Sequence, residues 1–224
     1  MSRSNQTGGI RRRCRFTGES YQLAYNETAI LPRDGPLIPD ASTAAQSIAE
    51  FIWEYNARLV SSLLRTREYA ESALRSHHMS EGCIRELAEL HTRRQSLILG
   101  SESSHVWAVL GYAAITGGPG MPDVMRRQIE FILNLTEHPS VSIQVLPDRH
   151  EGSATRNSFS LIRCGGTSIP DVIYSNPLGD EALLSLQEDT EPYRQTMAKI
   201  GIAAQAPAET RQILSDSLRG MNGR

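Results

Sequence analysis

The chain is 224 residues long, with 39% hydrophobic and 21% charged residues and a formal net charge of -2. That length suits a single domain able to bury a core without disulfides or a structural metal, and the composition excludes a disordered or collagen-like chain. The near-balance of charge excludes a wholly basic nucleic-acid binder, and no run approaches the ~18 apolar residues that a membrane-spanning helix needs.

Residues 1–16 carry five arginines (Arg3, Arg11, Arg12, Arg13 and Arg15) and no acid. This arm has no apolar core, so it does not read as a secretory signal. Arg11, Arg12, Arg13 and Arg15 suit weak, salt-sensitive contact with nucleic-acid phosphates. Thr17 can cap a short helix reaching about Ile30, and LPRDGPLIPD (31–40) is a proline-rich linker. The domain plan is therefore a basic arm, short helix and linker over 1–40, then a single domain over 41–220. Cys14, Cys83 and Cys164 are far apart with no CxxC pair, and read as reduced thiols of a cytoplasmic protein, with no metal site and no cofactor implied. Lys199 is the single lysine beside 22 arginines, a bias that GC-rich coding explains.

From Ala41 the helical signal is strong: Ile48, Phe51, Ile52, Tyr55, Leu59, Leu63 and Leu64 recur at helical spacing. Thr66 is placed to cap a second helix and Ser80 a third that runs to about Leu99, with Ile84, Leu87, Ala88, His91, Gln95 and Ile98 on one stripe. HVWAVLG (105–111) reads as a strand and GGPGMPD (117–123) as a turn, with Pro122 suited to the first position of a helix ending near Glu137. Val141, Ile143 and Val145 alternate with polar residues as in a half-buried strand, and SFSLIRC (158–164) and DVIYS (171–175) read as two more. Two terminal helices, about Gly179–Ile200 and Ala208–Arg219, close the chain. The fold class is α+β (mixed α/β): an N-terminal helical layer, a small central mixed sheet of order β-α-β-β-β, and C-terminal helices.

None of the phosphate-loop, nucleophile-elbow, zincin or dinucleotide motifs is present. GGPG (117–120) precedes a helix, but Pro122 removes a donor there, and a turn is the simpler reading. His77 and His78 sit at a helix end, where cationic side chains suit the dipole. Two polar groups stand out. In His91-Thr92-Arg93-Arg94-Gln95, His91 and Gln95 lie a turn apart on an otherwise apolar stripe, where polar groups either join a hydrogen-bond network to the sheet or line a ligand pocket. Asp148, Arg149, His150 and Glu151 follow a strand, where open sheets place binding groups, and a histidine beside a carboxylate suits acid–base work. If that strand lies over the His91 helix, the two groups rim one cleft, with Arg94 as its fixed positive charge for a carboxylate or phosphate.

Residues from about Ile48 to Leu218 resemble the C-terminal domain of unknown function that follows an Xre-type helix-turn-helix in actinobacterial antitoxin-like regulators. The resemblance rests on YNARLVSSLLRTREYAESAL (55–74), HTRRQSLI (91–98), VMRRQIEFILNLTEHPSVSIQVLP (124–147), NSFSLIR (157–163) and DVIYSNPLG (171–179), in that order. It implies a cytosolic regulatory role beside a partner protein, either a helix-turn-helix regulator or a small toxin-like protein. The chain departs from the family pattern at Ser61-Ser62, where Pro-Gly is usual, at Arg65, where glutamine is usual, and at Gly111 and Asn176, where glutamate is usual. A five-helix DNA-binding module needs about 55–70 residues, and the segment before the matched region holds one helix and a linker, so no sequence-specific DNA binding by this chain alone is expected.

Two functional readings follow. In the first the chain is a non-enzymatic regulatory or interaction module that senses a small anionic ligand or binds a partner protein, with His91, Arg94, Gln95, Asp148 and His150 as the contacting residues. In the second it is a small cytosolic enzyme of a biosynthetic cluster on the same scaffold, with His150, Glu151 and Arg94 as its polar groups. Fold alone does not choose between them.

Overall fold

The first segment seen in the structure corrects the helical expectation for this region: Ala49–Asn56 is a strand, β1. Phe51, Ile52, Trp53 and Tyr55 are β-prone, and a strand covered on both faces is apolar on both, so its run also satisfies helical spacing. The computed structural model describes residues 49–75, 80–101, 103–148, 157–164, 171–175, 182–184 and 187–222. The arginine arm with Arg11, Arg12, Arg13 and Arg15, its short helix and linker, His77-His78, and His150 with Glu151 lie outside the described residues.

β1 is central in a six-stranded sheet of order β3-β2-β1-β4-β5-β6. β2 (His105–Gly111) and β3 (Val141–Leu146) run parallel to it on one side. β4 (Phe159–Cys164), β5 (Val172–Ser175) and β6 (Ala182–Leu184) form an antiparallel meander on the other. The α+β class holds, but the expected β-α-β-β-β sheet gains β1 at its centre and β6 at its edge. β6 occupies the start of what reads as a helix from Gly179; that helix begins at Gln187.

The crossover from β1 to β2 holds a 3-10 turn (Ser62–Leu64), α1 (Arg67–Arg75) and α2 (Glu81–Leu99). Both expected caps form: Thr66 Oγ1 accepts from Tyr69 N at 3.3 Å, and Ser80 Oγ from Cys83 N at 3.3 Å. The crossover from β2 to β3 holds α3 (Tyr112–Thr116) and α4 (Pro122–Leu135), the latter entered through Gly120 at a φ of 103°, which suits glycine. α5 (Gln187–Ala203) and α6 (Pro207–Asn222) end the described chain.

Strand alternation divides the core into two layers. On one face Ala108, Leu110, Ile143 and Val145 pack with Ile129 and Ile132 of α4 and Leu214 of α6, while Ile52, Val106 and Ile162 pack with Leu63 and with Ile98 of α2. On the other face Tyr55, Val109, Leu146 and Phe159 pack under Met197 and Ile200 of α5. Asp171, just before β5, accepts a bidentate pair from Arg163 at 3.1 and 3.0 Å and a third bond from Arg194 of α5 at 2.6 Å, tying helix to sheet. The outer edge of β3 is closed by the α5–α6 connection: Gln205 N donates to Val145 O at 2.9 Å, and Thr210 Oγ1 accepts from Val145 N at 3.0 Å. These bonds occupy the outward backbone groups of Val145 on that edge strand.

Candidate functional site

The register sets Ala108, Glu54, Ser160 and Tyr174 side by side across four strands, on the face that carries α2. Glu54, at 2% exposure, is the charged member of this row and lies at the sheet's centre. A buried carboxylate needs partners. Ser61 Oγ donates to Glu54 Oε2, and Ser160 Oγ lies 3.0 Å from Oε1. Burial pushes the Glu54 carboxyl above its ordinary value, against the two serine hydrogen bonds and the positive charges of Arg94 and Arg65.

Over this row runs the segment from Val60 to Thr66, buried yet nearly without regular structure. Its backbone groups must therefore be satisfied by side chains. Gln95 Nε2 donates to Leu63 O at 2.6 Å and to Arg65 O at 3.2 Å. Gln128 of α4 donates to Leu64 O at 2.7 Å and accepts from Thr66 N at 2.8 Å. The Tyr69 hydroxyl accepts from Val60 N at 3.1 Å, and Arg65 Nε donates to Val60 O at 2.8 Å. Two glutamines and a tyrosine thus hold the segment in place and present Ser61, Ser62 and Arg65 beside the sheet.

Arg65 is half-buried, with its guanidinium carbon 5.8 Å from the Tyr69 ring centroid. Its terminal nitrogens bond no described residue, and it makes no ion pair with a described carboxylate. Arg94 reaches in from α2, with Nη2 3.0 Å from His91 Nδ1 and 3.4 Å from Ser62 Oγ. Burial, then the charges of Arg94 and Arg65, hold His91 well below the ordinary 6.5. Among the described residues the site therefore combines two guanidiniums, an imidazole held neutral and one buried carboxyl.

Of the residues singled out in the sequence, His91, Arg94 and Gln95 meet around the 3-10 turn. The amide of Gln95 serves the backbone of that turn, not the sheet. Asp148 is exposed, two residues beyond the end of β3. The strand expected to lie over α2 packs instead against α6 and α5, while α2 packs on α1 and the 3-10 turn. Glu54 and Ser160 carry no motif, and Ser61 and Arg65 stand out in the sequence only as departures from the family pattern. One further signal was present: a glutamate inside the apolar run FIWEY, since a charged residue is almost never fully buried without paired partners. Ser61, Ser62 and Arg65, three of the departures from the family pattern, all stand in this site; Gly111 closes β2, and Asn176 lies outside the described residues.

The arrangement suits binding of charge better than nucleophilic chemistry. Ser61 is fully buried, and its hydroxyl is committed to Glu54 and to Leu63 N. Among the described residues no group of three histidine, cysteine, aspartate or glutamate side chains is placed to hold a metal ion, and no helix is long and apolar enough to cross a membrane. Neither the curated proteins nor the solved structures contain a match to the chain. One family model matches, over residues 41–216: Domain of unknown function (DUF5753).

Proposed function

This chain belongs to the DUF5753 family, and we propose that it acts as a non-enzymatic regulatory module of an actinobacterial transcriptional-regulator or antitoxin-like system. In this reading it works in the cytoplasm beside a helix-turn-helix regulator or small toxin-like partner, and it senses a small anionic ligand. The observation that carries the reading is Arg65: a half-buried guanidinium whose terminal nitrogens bond no described residue. A bound oxyanion would give those terminal nitrogens their acceptors. A guanidinium holds a carboxylate or phosphate through two parallel bonds, which an ammonium cannot imitate.

The test is a thermal-shift titration of the full chain with sulfate, phosphate and a set of small carboxylates. At least one anion is expected to raise the melting temperature, with the rise lost in Arg65→Gln and weakened in Arg94→Lys. If no anion stabilises the protein, or if stabilisation survives both substitutions, the reading is wrong. Co-purification from the native host, with both proteins and small molecules identified, then names the partner.

A further inference from the structure

We infer that Tyr69 is the positioning residue of this site: it fixes Arg65 so that the guanidinium presents its end-on pair, Nη1 beside Nη2, to an anion with two oxygens. This rests on the anion reading above and adds to it the class of ligand. The ligand is a carboxylate, or a phosphate- or sulfate-like group, taken in the plane of the guanidinium, and not a halide.

Three contacts close a ring around Val60. The Tyr69 hydroxyl accepts from Val60 N at 3.1 Å, and Val60 O accepts from Arg65 Nε at 2.8 Å. The guanidinium carbon of Arg65 in turn lies over the Tyr69 ring, 5.8 Å from its centroid. Tyr69 is fully buried. One rigid side chain therefore holds both the residue that Nε bonds and the surface on which the guanidinium rests.

A guanidinium offers an oxyanion two pairs of N–H groups: Nε with one terminal nitrogen, or the two terminal nitrogens together. Nε is engaged by Val60 O, so the first pair is taken. The terminal nitrogens bond no described residue, and neither is a buried, unbonded atom, so both keep contact with solvent. What an anion meets is the end-on pair.

The backbone under this side chain is pinned as well. Gln95 Nε2 donates to Arg65 O at 3.2 Å, and the next amide, Thr66 N, donates to Gln128 Oε1 at 2.8 Å. Thr66 Oγ1 accepts from Tyr69 N at 3.3 Å, so the arginine and the tyrosine sit on one capped turn. An arginine fixed in this way has little freedom left to lose on binding, whereas a free one gives up many rotamers.

Formate and chloride are the probes, because they carry the same charge and only formate has two oxygens for two parallel N–H groups. Each is titrated into the full chain and followed by the side-chain NMR signals of the arginines, with Arg65 assigned by its absence from Arg65→Lys. The native chain is expected to bind formate at least about ten-fold more tightly than chloride, the scale of one further charge-assisted hydrogen bond. Formate is expected to shift the terminal nitrogens of Arg65 and to leave its Nε–H in place and slow to exchange. Tyr69→Phe keeps the ring and frees Val60; it is expected to weaken formate by about three- to ten-fold and to leave chloride unchanged. Arg65→Lys keeps the charge and is expected to lose the preference for formate. A purely structural role for Tyr69 lowers the melting temperature of Tyr69→Phe without moving the ratio of the two affinities.

Formate binding that needs Arg65 yet keeps its preference over chloride in Tyr69→Phe overturns the assignment of Tyr69 and leaves the anion reading standing. An Arg65 Nε–H that exchanges as fast as those of exposed arginines shows that the clamp is missing, and overturns it in the native chain without any variant. Chloride bound as tightly as formate, or formate that displaces Nε from Val60, overturns the end-on pair. If the native chain binds no oxyanion, sulfate and phosphate included, both this inference and the anion reading fall.

Discussion

Arg94 Nη2 lies 3.0 Å from His91 Nδ1. A guanidinium has only donors to offer, so Nδ1 must present its lone pair and the imidazole carries its hydrogen on Nε2. The contact selects one neutral tautomer. Protonating Nδ1 would set an N–H against an N–H; burial, then the charges of Arg94 and Arg65, already hold His91 well below its ordinary range.

That depression makes His91 a source of acid lability. In the unfolded chain it titrates near 6.5, whereas in the folded protein it resists protonation. A group of this kind contributes stability above the unfolded value and loses it as the pH falls below 6.5 towards the folded value, because the unfolded chain then binds the extra proton. Glu54 acts in the opposite sense: its raised value adds stability as the pH falls towards 4.5. Urea midpoints are expected to fall from pH 7 to 5.5 by less in His91→Gln than in the native chain. An equal fall in both would show that His91 does not carry the effect.

Gly201 in α5 sits against the indole of Trp107, and a Cβ there would come within 2.4 Å of the ring. Alanine in a helix ordinarily gains about 0.5–1 kcal/mol over glycine. Here the overlap outweighs that gain, since forcing a methyl into a packed core costs typically ~1–3 kcal/mol. Gly201→Ala is expected to lower the melting temperature, and a variant as stable as the native chain would refute the close approach.

Thr210 is fully buried, and its hydroxyl accepts the Val145 N–H that an outer strand would otherwise leave unpaired. Thr210→Val keeps the shape and removes the acceptor. The expected loss is about 1–3 kcal/mol, the cost of an unsatisfied buried donor. Hydrogen exchange at the Val145 amide checks the assignment directly, with faster exchange expected in the variant.

Leu87 of α2 is 6% exposed. Leu87→Ala is expected to cost roughly 2–5 kcal/mol, with the sheet and the helical layer still melting together. A second transition seen by calorimetry would show that the two layers unfold separately, against the packing of Ile98 on Ile52, Val106 and Ile162.

Local rules were enough for the helices that carry their own stop and start signals. Ser80 caps α2, Thr66 caps α1 and Pro122 opens α4 because a cap or a fixed φ acts within a few residues of itself. Val141, Ile143 and Val145 declared β3 by alternation, since one face of that strand is more polar than the other. β1 lacked that contrast: helices cover the sheet on both sides, so FIWEY carries helical spacing and strand composition at once, and only pairing with β2 and β4 decides between them. The site was hidden for the same reason. Glu54 and Ser160 are 106 residues apart and neighbours solely through strand register, and Arg94 and Gln95 reach Ser62 and Leu63 across a gap of 32 residues. Sequence spacing determines which face of one element a residue occupies; which residue of another element it meets is set by the sheet order and by the helix crossing it, and those exist only in the folded chain.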